Sequence, residues 1–148
     1  MRKVLAIASG GGHWQQLMQM RPAFEECAVS FATTIPGLPE EFNAFPAHIV
    51  PDCSRDTPLQ VPQCAWAIWR LIRASQPDVV ISTGALPGVI ALALARRRGA
   101  HTIWVDSVAN AEEMSASGRL ARRFADDWLT QWPHVAQATG ATYAGSVL

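Results

Sequence analysis

The chain has 148 residues, with 12 basic and 12 acidic side chains that leave no formal net charge. The length suits one domain (residues 1–148) with a sizeable core, and the charge balance excludes bulk attraction to nucleic acid. Cys27, Cys53 and Cys64 are an odd number without metal-ligand spacing, which predicts buried thiols, a reducing cytoplasm and no metal.

Residues 3–17, KVLAIASGGGHWQQL, organise the rest. The apolar run 3–8 has the length and branched content of a buried parallel strand. It breaks at Ser9-Gly10-Gly11-Gly12, and a helix starts at His13, to end near Arg21-Pro22. Met1-Arg2-Lys3 leads straight into this strand, so a signal peptide is not expected. Consecutive glycines let the backbone take positive φ and approach a ligand. The helix start that follows has free N–H groups and the positive end of its dipole, which suits a phosphate. The spacing is neither G-x-G-x-x-G nor a P-loop. An imidazole at that helix mouth suits a general base or a phosphate donor, or a histidine bonded to local backbone.

Residues 28–33 (AVSFAT) read as the second strand, 34–45 as a loop, and 47–50 as a short third strand. Prolines at 51, 58 and 62 keep 51–62 irregular, with Ser54, Arg55, Asp56 and Thr57 polar at its centre. Residues 61–75 are helical, with Ala65, Ile68, Leu71 and Ile72 in one stripe. Trp66, Trp69, Arg70 and Arg73 give this helix the composition of a membrane-surface helix, although core packing with a basic outer face reads almost the same. No stretch approaches ~20 consecutive apolar residues, so a spanning helix is not expected.

Residues 79–82 form a continuous apolar strand that ends at a second glycine turn, Thr83-Gly84-Ala85-Leu86-Pro87-Gly88. Pro87 stands as at a helix start, and the helix 88–98 closes at Gly99. Strand 101–105 ends at Asp106-Ser107, a carboxylate and a hydroxyl at a strand's carboxyl end. A helix over 117–125, a strand over 128–131, a short helix from Trp132-Pro133-His134 and a last strand over 141–143 complete the chain. Strands alternating with helices predict an α/β fold, a doubly wound, mainly parallel, Rossmann-like sheet. Right-handed crossovers then bring 10–13, 54–57, 83–88 and 106–107 to one rim.

Four segments together, SGGGHWQQL (9–17), PDVVISTGALPGV (77–89), WVDS (104–107) and SGRLARRFADDWLTQW (117–132), resemble the acceptor-side subunit of split GT-B glycosyltransferases. That group includes the membrane-recruiting partner in dolichol-linked N-acetylglucosaminyl transfer and the PssD-type proteins of exopolysaccharide synthesis. The glycine turn with His13 is also similar to that of the N-terminal half of MurG. The resemblance implies one half of a GT-B enzyme, inactive without a separate donor-binding subunit that holds a UDP-sugar. It implies N-acetylglucosamine or glucuronic acid transfer to a polyprenyl-diphosphate-linked saccharide, with no further cofactor. The location implied is peripheral, at the cytoplasmic face of the plasma membrane.

Under that resemblance His13 is the first candidate for the base and Asp106 the second; relatives often carry Glu-Ser where this chain has Asp106-Ser107. Gly10, Gly11 and Gly12 face phosphate, while Ser82, Thr83, Gly84 and Ser107 line the cleft. Trp66, Trp69, Arg70 and Arg73 meet lipid, and Trp128 and Trp132 meet the partner. Two other classes stand beside it: a scaffold that only recruits the catalytic partner to the membrane, and a free-standing nucleotide-binding protein. The last is disfavoured because Ala32-Thr33-Thr34 offers no acidic residue to a ribose.

Overall fold

The computed structural model describes residues 1–147. Among them, seven strands form one sheet: β1 (Lys3–Ala8), β2 (Ala28–Thr33), β3 (Ala47–Ile49), β4 (Val79–Gly84), β5 (His101–Val105), β6 (Asp127–Thr130) and β7 (Thr142–Tyr143). Their spatial order is β3-β2-β1-β4-β5-β6-β7, and every neighbouring pair is parallel. The helices are α1 (Gly12–Gln19), α2 (Leu38–Glu41), α3 (Val61–Ser75), α4 (Leu86–Arg97), α5 (Ala116–Ala121) and α6 (Pro133–Thr139).

Side-chain alternation in the central strands sends two apolar sets to two faces. Val4, Ala6 and Ala8 of β1 and Ile81 of β4 pack with Trp14, Leu17 and Met18 of α1. Leu5, Ile7, Val80 and Trp104 pack on the other face with Ile68, Leu71 and Ile72 of α3 and Val89, Leu92 and Ala95 of α4. Strands buried on both sides carry near-continuous apolar runs, the pattern the sequence shows in β1 and β4. The stripe of α3 runs through Cys64 rather than Ala65, which is only half-buried. Cys64 and Cys53 meet under the loop after β3, and burial pushes both thiols up from their ordinary range.

The chain builds β1, β2 and β3 outward in one direction, then crosses back through α3 to lay β4 on the other side of β1. Strand order therefore reverses between β1 and β4, and a crevice opens beyond their carboxyl ends, where open α/β sheets bind ligands. The β1–β4 register shifts there: Ile7 pairs with Ser82 and Ala8 with Gly84, so Thr83 is an extra residue on β4.

Element positions differ from expectation in a few places. The first helix ends at Gln19, and a separate 3-10 turn spans Arg21–Phe24, with Pro22 inside that turn. The loop over 34–45 contains α2, entered through Gly37 at φ 93°. α5 starts at Ala116 because Ser115, not Ser117, caps it: its Oγ accepts from Gly118 N.

Candidate active site at the strand-order reversal

The glycine turn delivers α1 to the crevice. Gly11 takes φ 72°, a conformation L side chains rarely adopt, and a Cβ on Gly11 or Gly12 would meet open space. α1 has no side-chain cap and no acidic residue in its first turn, so its leading N–H groups and dipole face outward without a protein acceptor. Gly10 is different. A Cβ there would stand 2.0 Å from Ile35 Cδ1, so Gly10 makes room for Ile35.

His13 is locked to β4 by a reciprocal pair. Its Nδ1–H donates to the Thr83 carbonyl at 3.0 Å, and the Thr83 hydroxyl donates to the His13 carbonyl at 2.6 Å. A carbonyl only accepts, so the neutral ring carries its proton on Nδ1 and leaves the Nε2 lone pair free. Gly84 lies under the ring, where a Cβ would be 2.4 Å from Nδ1, and Ser9 N donates to Gly84 O at 2.8 Å. The two glycine turns expected at one rim are thus joined there. Thr83 itself is buried, with its hydroxyl and carbonyl both spent on His13.

Three other expected site residues turn out to be structural. Asp106 is 1% exposed. Its Oδ1 accepts from Ser115 Oγ at 2.6 Å and Trp104 Nε1 at 3.1 Å; its Oδ2 accepts from Ser115 N at 3.0 Å and Asn110 Nδ2 at 3.2 Å. A carboxylate saturated by four donors and shut from solvent cannot reach an acceptor hydroxyl, so Asp106 is corrected from a base to the anchor of the loop after β5. Ser107 is buried as well, accepting from Gln16 Nε2 at 3.0 Å. Ser82 is fully buried, accepts from Gly84 N, and points to the α4 face, where Gly88 makes space for it. Neither Ser82 nor Ser107 lines the cleft.

The loop over 54–57 closes on itself, with Ser54 N donating to Thr57 Oγ1 and Asp56 N to Ser54 Oγ; these bonds do not reach the glycine turn. Trp128 and Trp132 are part-buried pins: their indole N–H groups donate to Gly118 O at 2.8 Å and Val108 O at 2.7 Å. Arg122 stacks over the Trp128 ring. Their indole donors are therefore not available to a partner.

Away from the crevice, a groove of about 710 Å³ runs between α3 and the edge strand β3. Its polar and aromatic walls are His48, Trp66, Trp69, Arg70 and Arg73, with no acidic side chain among its lining residues. Trp66 is 63% exposed, whereas Trp69 is half-buried beneath the guanidinium of Arg98, 5.3 Å from its ring centroid. No helix among the described residues is long and apolar enough to cross a membrane.

What the sequence did not signal is the polar bridge beneath the rim. Gln16 of α1 and Gln131 after β6 are both buried and hydrogen-bonded to each other. A glutamine in an apolar helical stripe has no periodic signature. Ser115 did leave one, a serine three residues ahead of Gly118 just before a helix.

Comparison with known proteins agrees with this architecture. The structure of MurG from Acinetobacter baumannii superposes with a TM-score of 0.79 at 15% identity, covering 99% of this chain and 45% of that one. UDP-N-acetylglucosamine 2-epimerase from Rickettsia bellii gives a TM-score of 0.75 at 16% identity, covering 99% and 45%. The fold is therefore the Rossmann-like half of a GT-B architecture. A protein of Eremothecium gossypii named UDP-N-acetylglucosamine transferase subunit ALG14 is 36% identical over 91 residues, which are 56% of this chain and 41% of that relative's length. Residues 57–147 match the family described as "Oligosaccharide biosynthesis protein Alg14 like", a span that includes α3, the β4–α4 turn and the Asp106 anchor but begins after the glycine turn. The chain belongs to the Alg14-like family of oligosaccharide biosynthesis proteins.

Proposed function

We propose that this chain is one subunit of a two-component glycosyltransferase and forms the acceptor side of its cleft. The donor, a UDP-sugar, is held by a separate subunit that closes over the rim near Trp132 and the loop after β5. The acceptor is a saccharide on a polyprenyl diphosphate at the cytoplasmic face of the membrane. The sugar is of the N-acetylglucosamine or glucuronic acid type. The name of the Eremothecium relative and the family match support this class of reaction.

One observation carries the chemistry: the bond from His13 Nδ1 to the Thr83 carbonyl, which places the neutral ring's proton on Nδ1 and leaves the Nε2 lone pair to take another. Nε2 takes the proton of the acceptor hydroxyl as that oxygen attacks the anomeric carbon. The bond from that carbon to the nucleoside diphosphate breaks, and its electron pair leaves with the diphosphate. The uncapped N–H groups at the start of α1 stabilise phosphate negative charge, on the acceptor or on the departing group. Asp106 acts only by holding the loop beside this site.

The test is turnover by the reconstituted pair. His13→Ala lowers kcat by about 10²–10⁴-fold, the worth of a general base, with the complex still assembled on size exclusion. His13→Ala with full turnover and intact assembly would overturn the catalytic reading and leave recruitment as the chain's role.

The groove beside α3 favours membrane contact. An interfacial helix combines tryptophan with arginine, and this groove has both and no acidic wall. Sedimentation with vesicles containing anionic lipid should capture the wild-type chain, and Trp66→Ala with Arg70→Glu and Arg73→Glu should abolish capture. Equal binding of the variant would sink this assignment.

A further inference from the structure

Gln131 has no part in the chemistry above, yet its side chain is fully engaged. It lies just after β6, buried, with Nε2 donating to Gln16 Oε1 at 2.6 Å and to the Asp106 carbonyl at 2.9 Å. Its Oε1 accepts from Val147 N at 2.7 Å. Gln16 stands three residues beyond His13 on α1; it donates to Ser107 Oγ at 3.0 Å and accepts from Val108 N at 3.1 Å.

The segment 144–147 folds back along the α1 face of β5 and β6. With Met20, Val105 and Leu129 it walls a small cavity of about 190 Å³, and Met20 is the C-cap of α1. The segment therefore faces the C-terminal end of α1 across this cavity and reaches the middle of the helix through two side-chain amides in series.

α1 is eight residues long, too short to hold its own geometry in water, so tertiary contacts set its seat. Its apolar contacts, through Trp14, Leu17 and Met18, are non-directional and tolerate sliding along the sheet. Amide hydrogen bonds weaken steeply when misaligned, so they fix the rotation and register of the helix. Gln16 supplies those bonds at the middle of α1, about one turn after His13.

The geometry points to Gln131 as a positioning residue that relays the docking of segment 144–147 to α1 and so sets how firmly His13 Nδ1 meets the Thr83 carbonyl. The relay concerns the seating of an imidazole, and only its effect on turnover rests on the proposed function.

The experiment follows the His13 imidazole by nitrogen-15 NMR, with its signals assigned by their loss in His13→Ala. Gln131→Met keeps the side-chain volume and removes both amide groups. Val147→Pro removes only the donor from the segment. Each should change the ratio of Nδ1–H to Nε2–H tautomers at His13 by about threefold, the scale of one net hydrogen bond. The double variant should change it by less than the product of the two, because both cut one relay.

Thr139→Ala is the control. It removes two hydrogen bonds at the end of α6, to Val135 O and from Ala141 N, and should leave the His13 signals in place. In the reconstituted pair Gln131→Met should lower kcat with KM nearly unchanged. His13 signals unmoved by Gln131→Met, or moved equally by Thr139→Ala, would overturn the relay. If Gln131→Met does not fold, the His13 signals of Val147→Pro decide alone: a shifted tautomer ratio supports the relay and an unmoved one overturns it. Full turnover by His13→Ala would remove the base assignment while the spectra still test the relay.

Discussion

A Cβ on Gly84 would stand 2.4 Å from His13 Nδ1, and the backbone there has φ 131°, where L side chains are strained. Strain and overpacking each cost about 1–3 kcal/mol, so Gly84→Ala should lose roughly 2–5 kcal/mol in urea unfolding and displace the ring from Thr83. A loss below about 1 kcal/mol would mean the turn relaxes freely. Asp126 marks the opposite end of the sheet. Its carboxylate accepts from Thr102 N at 2.9 Å, and that backbone bond holds its carboxyl below the ordinary carboxylate range. Burial opposes the shift, while the Thr102 hydroxyl, Arg96 and His101 add to it. A carboxyl lowered in the folded state contributes stability above its unfolded pKa and loses it as pH falls through the lowered value. Asp126→Asn should therefore flatten the acid limb of stability below about pH 4, and an unchanged limb would refute the assignment. At this scale the sequence placed His13 and the glycines at a strand-to-helix turn, because consecutive glycines break an apolar strand. It hid the burial of Asp106, whose four donors come from Trp104, Asn110 and Ser115, residues with no common period.

Strands β1, β2 and β5 begin and end where their apolar runs do, and α3 spans the predicted 61–75. The start of α5 differs from expectation because a polar side chain, not an apolar period, decides it. Ser115 Oγ accepts from Gly118 N at 2.8 Å while its own proton goes to Asp106 Oδ1 at 2.6 Å. One hydroxyl thus caps a helix and satisfies a buried carboxylate. Losing a cap costs about 1 kcal/mol, and leaving the carboxylate short of a donor adds about 1–3 kcal/mol. Ser115→Ala should accordingly lower stability by roughly 2–4 kcal/mol by chemical denaturation. A change near zero would show that water replaces the hydroxyl.

For the molecule as a whole, alternating strands and helices were enough to announce a parallel, doubly wound sheet, and right-handed crossovers were enough to place the rim. The point of reversal was not legible, because strand order depends on which way each crossover travels, and no residue pattern states that. It determines that the β1 and β4 turns, 70 residues apart in sequence, meet at His13 and Thr83. The two outermost strands carry a separate consequence. β3 has three residues and β7 has two, so the long hydrogen-bonding ladders lie inside and the flanks offer only stubs. Short flanks make poor templates for another chain's backbone. Another chain finds little backbone to pair with at either flank, so assembly is expected to use side-chain surfaces.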